Sequence, residues 1–138
     1  MTGLDTNVLA RYFVEDRGDA EASRQRTAAR HLIESGKPLM VCKTVILELE
    51  WVMRGYYGFT KGEVVSVLRY LLALPHITIE DRDTVEHALS HCDAGLELAD
   101  ALHHASYRGC KNMASFDDRK FARRAKKMSL APSVMVPK

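Results

Sequence analysis

The sequence predicts an α/β fold, with a short central parallel β-sheet flanked by helices on both faces. Short apolar runs bounded by Gly, Pro or charged residues alternate along the chain with longer stretches of helical periodicity. This alternation is typical of a parallel sheet whose strands are joined by right-handed helical crossovers. A length of 138 residues suits one domain. We therefore expect a single domain over residues 1–138.

Each predicted strand is brief and apolar, as expected for a strand buried in a parallel sheet. The five strands are Thr2–Leu4, Pro38–Cys42, His76–Ile79, Asn112–Phe116 and Ser133–Val136. The longer stretches predict seven helices: Asn7–Val14, Asp19–Ser35, Thr44–Arg54, Lys61–Leu74, Thr84–Cys92, Leu96–Arg108 and Asp118–Lys127.

Several helix ends carry signals of their own. Thr60 followed by Glu63 predicts a capping box, and Asp83 followed by Glu86 is a weaker form of the same pattern. A glycine follows three helical runs where a left-handed C-cap is expected. These glycines are Gly36, Gly58 and Gly109.

The composition is that of an ordinary soluble globular protein, with 46% hydrophobic and 28% charged residues. No apolar run approaches the roughly 18 residues that span a bilayer, so we expect no membrane association. Asp5 stands where a secretory signal needs a basic and then a long apolar stretch, so we expect no export by that route. The cysteines, Cys42, Cys92 and Cys110, are distant and odd in number, which favours free thiols in a reducing cytoplasm.

The formal net charge of +2 is too small for polyanion binding by bulk charge. Residues 1–92 carry 11 Lys and Arg against 13 Asp and Glu, whereas residues 93–138 carry 9 against 5. Much of the excess lies in Arg119, Lys120, Arg123, Arg124, Lys126 and Lys127. This basic segment is typical of a solvated helix face near a carboxyl end, and it also suits phosphate contact.

Polar side chains gather where the predicted strands end. Asp5 directly follows the first strand, Glu48 lies in the helix after the second, and Asp100 lies in the helix before the fourth. The end of the fourth strand carries Ser115, Asp117 and Asp118. Functional groups of a parallel sheet collect beyond the carboxyl ends of its strands, so these positions are candidates for one site.

Each acid also has a purely structural explanation. Asp5, Asp117 and Asp118 can each cap the helix that follows. Asp100 shares a helix face with polar neighbours, as on any amphipathic surface helix. These neighbours are Glu97, His103, His104 and Tyr107.

Glu48 borders an apolar face on a helical wheel, between Trp51 and Val52. A carboxylate set among apolar neighbours needs a cation or hydrogen-bond donors; the alternative is that Glu48 reaches water at the edge of that face. Glu50, with Arg54 four residues later, is expected to form an exposed ion pair.

Several carboxylates that converge without His or Cys suit a hard cation such as Mg²⁺ or Mn²⁺. Without a cation they repel one another, and one or more of them tends to protonate. The chemistry that such a cluster supports is phosphoryl transfer.

Four segments of the chain form a recognisable series: LDTNVLARYF (Leu4–Phe13), LELEWVMRGYYGF (Leu47–Phe59), ADALHHA (Ala99–Ala105) and SFDDRKFAR (Ser115–Arg123). In this order and spacing they resemble the PIN-domain ribonucleases, specifically the VapC-type toxins of bacterial toxin–antitoxin modules. The resemblance runs through nearly the whole chain, and it implies a PIN fold.

The resemblance implies that Asp5, Glu48, Asp100 and Asp117 hold Mg²⁺ or Mn²⁺. Asn7 and Ser115 resemble neighbouring polar positions that support the site. Glu97 stands where relatives often have Asp, and Asp118 is an extra acid that competes with Asp117. The resemblance also implies an RNA substrate, a homodimer, and a cognate VapB-like antitoxin whose C-terminal segment covers the site.

The mechanistic hypothesis is a water activated by the bound cation for attack on an RNA phosphodiester, so no side chain needs to be the nucleophile. Arg119, Arg123 and Arg124 are expected to position the strand by phosphate contact, without base readout.

Three other interpretations fit parts of the sequence. A phosphatase of the haloacid dehalogenase type needs a second acid where this chain has Asn7, which cannot donate a proton in that way. A zinc site is suggested by His87 and His91, followed by His103 and His104, although surface histidines also explain that spacing. The alternative from another class is a non-catalytic PIN-fold module that binds a partner or nucleic acid.

Overall fold

Strands and helices alternate in the computed structural model, which describes all residues, Met1–Lys138. It contains seven α-helices and five strands, and all strand pairs are parallel. The predicted α/β class is therefore confirmed. The chain divides into two compact units, Met1–Arg82 and Asp83–Lys138.

The first unit holds a three-stranded sheet in the order β1–β2–β3. Its elements are β1 (Thr2–Gly3), α1 (Thr6–Phe13), α2 (Ala20–Ile33), β2 (Leu39–Val41), α3 (Lys43–Gly55), α4 (Lys61–Ala73) and β3 (Ile77–Ile79). Leu39 pairs with Ile77 and Val41 pairs with Ile79, and all four are buried. The centre of this sheet is thus core, as the apolar runs predicted. Burying one such side chain stabilises the fold by about 1.5–3 kcal/mol.

The second unit holds a two-stranded parallel sheet. Its elements are α5 (Arg82–Asp93), which begins at the boundary, α6 (Leu98–Ser106), β4 (Asn112–Ala114), a π-helical turn (Asp118–Ala122), α7 (Arg123–Lys127) and β5 (Ser133–Met135). Strands β4 and β5 pair from Asn112 with Ser133 to Ala114 with Met135. The five predicted strands therefore all form, and they pair as a set of three and a set of two.

One predicted helix differs in kind. The sequence predicts an α-helix over Asp118–Lys127, but its first half is π-helical. The N–H of Ala122 donates to the Asp117 carbonyl, five residues earlier, at 2.9 Å. Such widened turns occur often at functional sites, and this one directly follows the predicted ligand Asp117.

Both kinds of helix-end signal, the capping boxes and the C-cap glycines, need correction in part. The capping box is confirmed: Thr60 Oγ1 accepts the Glu63 N–H at 3.1 Å, and the Glu63 carboxylate accepts the Thr60 N–H at 2.9 Å. The second capping box is wrong, because α5 begins at Arg82 and Asp83 therefore lies inside its first turn. Asp83 thus cannot be the residue that precedes the helix.

Left-handed backbone follows two of the three helical runs where glycine predicted it. Gly36 has φ 76° and Gly58 has φ 72°, which only glycine adopts without strain. Gly109 does not have a positive φ; in the second unit Gly95 does, with φ 121°. The chain turns there after α5, three residues before α6 begins.

The longest helix, α2, has 14 residues. No helix combines the length and the apolar character of a membrane-spanning segment.

Candidate active site

Asp5 is the N-cap of α1. Its backbone is extended, with φ −85° and ψ 162°, and its Oδ1 accepts the Thr6 N–H at 2.8 Å. The structural explanation of this residue is therefore correct. The side chain is nevertheless exposed, so the cap does not prevent the carboxylate from binding a ligand. Asn7, also exposed, lies in the first turn of the same helix.

Glu48 is exposed on α3, so the explanation in which it reaches water is the correct one. The buried residues of this helix are Ile46, Leu49 and Met53. The apolar face expected beside Glu48 is not a buried face, because Trp51 is 72% exposed. Glu48 forms no ion pair, and its charge is available to a cation.

The predicted ion pair of α3 forms, and it is exposed at its arginine end. Arg54 Nη1 lies 3.3 Å from Glu50 Oε1, but the Glu50 side chain is only 14% exposed. This helix carries apolar residues on most of its sides, so its periodicity does not determine which side packs inward. Tertiary packing puts Glu50, rather than Glu48, at the margin of the core.

The edge of the three-stranded sheet carries two further acids that the sequence analysis did not single out. Glu80 and Asp81 follow β3 just as Asp5 follows β1. Glu80 Oε1 accepts the Lys43 N–H at the start of α3 at 2.8 Å, and Lys43 Nζ lies 3.0 Å from Asp81 Oδ2. Both acids thus stabilise the start of α3. Their position directly after a strand is the sequence signal that would have identified them.

Asp100 is half-buried in the first turn of α6. Burial raises the pKa of this carboxyl group, and the negative charge of Asp117 raises it further. His103 opposes the increase, Glu97 adds to it, and Arg124 opposes it. In the second unit, the charges of Asp117 and Glu97 therefore act on Asp100.

Asp117 is held by its own loop. Its N–H donates to Ser115 Oγ at 3.1 Å, and its Oδ1 accepts the Lys120 N–H at 3.1 Å as the N-cap of the π-helical turn. The Ser115 hydroxyl thus holds the backbone that carries the acid; its role at a metal site stays a prediction. Glu97 is the N-cap of α6, although its side chain makes no cap hydrogen bond.

Asp118 lies in a different environment. It lines a cavity of about 440 Å³ with Lys126, Ser133 and other residues of α7 and β5. The aspartate whose charge acts on Asp100 is Asp117. Of the two adjacent acids, Asp117 is therefore the better candidate ligand.

The basic segment is mostly solvated. Arg119 and Arg123 are exposed and form no ion pair. Arg124 is half-buried and donates from Nη1 to the Gly95 carbonyl at 3.3 Å. Two of the three arginines expected to contact RNA phosphate are thus free for such contacts, whereas Arg124 is also tied to its own unit.

The histidines differ from the exposed set that the sequence favoured. His104 is only 1% exposed, and its Nε2 lies 2.7 Å from the Pro132 carbonyl. That carbonyl accepts the ring N–H, which offsets part of the cost of burying the imidazole. The rings of His87, His91 and His104 follow one another at 6.3 and 5.9 Å between centroids. His87 Nδ1 already lies 3.1 Å from Arg108 Nη1.

No group of three or more His, Cys, Asp or Glu side chains is arranged to hold a metal ion. The four predicted ligands are distributed over both units, two in each. Their chemistry still fits a hard divalent cation, because all are carboxylates. Asp100 in particular faces negative charge that a cation would neutralise.

Comparison with known proteins gives the family. No curated protein matches the sequence significantly. The family profile described as the PIN domain matches residues 4–127, which include all eight acids and supporting polar residues identified from the sequence. PIN domains are generally nucleases, and the alternation of parallel strands and helices agrees with their fold. The chain belongs to the PIN domain family.

Proposed function

We propose that this chain is a divalent-cation-dependent endoribonuclease in which Asp5, Glu48, Asp100 and Asp117 hold Mg²⁺ or Mn²⁺. When bound, such a cation lowers the pKa of a water ligand and neutralises phosphate charge. The chain itself supplies the carboxylates, the loop that orients Asp117, and the arginine side chains that attract RNA.

The half-buried Asp100 carries this proposal. A carboxyl group whose pKa is raised by burial and by Asp117 is unfavourable for stability in its charged form. Carboxyl groups with a raised pKa cluster at functional sites. In a PIN domain the chemistry that requires crowded carboxylates is cation binding for phosphodiester cleavage.

The exposed arginines support RNA as the substrate. Arg119 and Arg123 lie two and six residues after Asp117 along the chain and are solvated. Cations at such positions contact phosphates and fix the strand without reading bases. Binding of this kind weakens as the salt concentration rises.

We propose further that the chain is the toxin of a cytoplasmic toxin–antitoxin pair, forms a homodimer, and is inhibited by a cognate VapB-like antitoxin. The four segments quoted above and the PIN domain match support this role.

The test is RNA cleavage with added Mn²⁺, with two variants of α3 as a matched pair. Glu48→Gln removes the exposed proposed ligand, whereas Glu50→Gln removes a negative charge two residues away that already pairs with Arg54. We expect Glu48→Gln and Asp5→Asn to lower the cleavage rate by more than about 100-fold. A loss of this size exceeds the one typical of mutating residues that only orient a metal ligand. Glu50→Gln should cleave close to the wild-type rate.

Folded Asp5→Asn protein that cleaves RNA undiminished would contradict the assignment. Isothermal titration with Mn²⁺, combined with the RNA cleavage assay, distinguishes the alternative function. A protein that binds a partner but shows no Mn²⁺-dependent turnover is the non-catalytic module.

A further inference from the structure

A cavity of about 300 Å³ lies between α1 and α2 in the first unit. Its polar lining is Asn7, Arg11 and Gln25, and its apolar lining includes Val8, Ala29 and Leu32. This volume is at the lower end of the range of about 300–1,000 Å³ for small-ligand pockets. The cavity thus suits a group of about the size of one nucleotide.

Arg11 is the charged group of this cavity, and its partners are neutral. Its Nε donates to Gln25 Oε1 at 2.8 Å, and its Nη1 donates to the Tyr57 hydroxyl at 3.3 Å. No carboxylate forms an ion pair with it. An amide oxygen and a phenol hold the guanidinium in place, but they do not cancel its charge.

The arginines of the neighbouring helix α2 are different. Arg24 pairs with Glu21, Arg26 lies 3.6 Å from Glu15, and Arg30 lies 3.9 Å from Glu34. Each of these positive charges has a carboxylate partner. Arg11 is therefore the uncompensated cation between α1 and α2.

The orientation of Gln25 follows from its own contacts. Its Nε2 donates to Glu21 Oε1 at 3.2 Å, so its oxygen faces Arg11. The negative charge of Glu21 is shared with Arg24. This network fixes the guanidinium before any ligand arrives, which lowers the entropic cost of binding an anion.

We propose that the cavity between α1 and α2 binds one nucleotide of the RNA substrate, with Arg11 contacting its phosphate. A planar guanidinium matches phosphate geometry better than an ammonium does. The apolar wall of Val8, Ala29 and Leu32 accommodates the sugar or base, and the Asn7 amide offers a donor and an acceptor.

The position along the chain agrees with this assignment. Asn7 is two residues after Asp5, and Arg11 is four residues after Asn7 on α1, so Asn7 and Arg11 share a helix face. The inference rests on the proposed ribonuclease function, and it adds a substrate-binding position beyond the carboxylates.

The test is RNA affinity in the Asp5→Asn background with Mg²⁺ present, so that binding is measured without cleavage. The probe is a short fluorescein-labelled single-stranded RNA of mixed sequence, and its anisotropy is followed across a salt series. Arg11→Gln removes the charge. Gln25→Glu keeps Arg11 but places a carboxylate against its Nε, so the cavity is neutralised even if Arg11→Gln misfolds.

We expect both variants to bind RNA about tenfold more weakly. The negative slope of the log binding constant against log salt concentration should also become less steep by about 0.7, because one phosphate contact is lost. Thr27→Glu is the matched control, because Thr27 is exposed on α2 and does not line the cavity. It adds the same charge as Gln25→Glu and should leave the affinity and the slope unchanged.

Equal affinities for Asp5→Asn protein with and without Gln25→Glu would overturn the inference and leave the ribonuclease proposal standing. So would an equal loss in Thr27→Glu, which would indicate bulk repulsion. Unchanged RNA binding together with weaker binding of a protein partner would assign the cavity to that partner instead. Failure of the Asp5→Asn protein, without any further substitution, to bind RNA at all would overturn both proposals.

Discussion

The carboxyl groups with a shifted pKa differ in the direction of the shift between the two units. In the first unit, the Arg17 side chain lowers the pKa of Glu15, and the Thr60 N–H lowers that of Glu63. In the second unit, burial and the charge of Asp117 raise the pKa of Asp100. The first unit thus stabilises carboxylates as anions, whereas the second unit crowds an anion. The contrast thus places at Asp100 the unfavourable charge interaction that a bound cation would neutralise.

The largest expected effect separates the acids of the second unit. Asp100→Asn and Asp117→Asn should each lower cation-dependent RNA cleavage by more than about 100-fold, because both remove a proposed ligand. Asp118→Asn should cleave close to wild type, because Asp118 lines a separate cavity. Initial rates on one RNA with Mn²⁺ provide the measurement. A large loss in Asp118→Asn with full activity in Asp117→Asn would reverse the assignment.

The second prediction concerns stability, and the two units should respond with opposite signs. Thr60→Ala removes the capping box of α4 and should lower the free energy of unfolding by about 1 kcal/mol. Asp100→Asn should raise it at neutral pH without divalent cations. The raised pKa means that the folded state disfavours the charged carboxylate, which is present above the folded-state pKa.

Urea unfolding in EDTA tests both variants. Added Mg²⁺ should then stabilise the wild type more than Asp100→Asn. If Asp100→Asn is less stable than the wild type in EDTA, the crowded carboxylate does not strain the fold.

The smallest effect is a pH dependence within the second unit. Burial lowers the pKa of His91, and His104 and His87 lower it further. The folded state therefore resists protonation of His91, whereas the unfolded chain takes up that proton below about pH 6.5. Stability should fall as the pH decreases from about 7.5 to 5.5.

His91→Phe should reduce that loss, as followed by thermal unfolding at both pH values. The matched control is His31→Phe, because His31 is exposed on α2. An equal pH dependence in the wild type and in His91→Phe would show that another group is responsible.

Much of the fold was predictable from local patterns. All five strands form within two residues of their predicted limits, because brief apolar runs between turn residues have few alternatives in a parallel sheet. The Thr60 capping box was predictable because both of its hydrogen bonds lie within one turn. The π-helical turn was not, since it depends on how the Asp117 loop meets the basic segment.

The candidate site was predictable as a set of residue types, but its environments were not. Glu48 and Glu50 lie on one helix that is apolar on most sides, so periodicity could not decide which of them would approach the core. His104 needed the Pro132 carbonyl, 28 residues later, before its burial was possible. Arg11 gave no signal, because an arginine is notable only when its partners are known.

The sequence by itself determined which elements form, their order, and the acids that follow the strands, because these depend on neighbours within one or two turns. Only the tertiary structure decided the environments of Arg11 and Asp100. It gave Arg11 the neutral partners Gln25 and Tyr57, and it set Asp100 against the charge of Asp117. These partners are distant along the chain, and both the strength and the cost of such interactions depend on distance and burial.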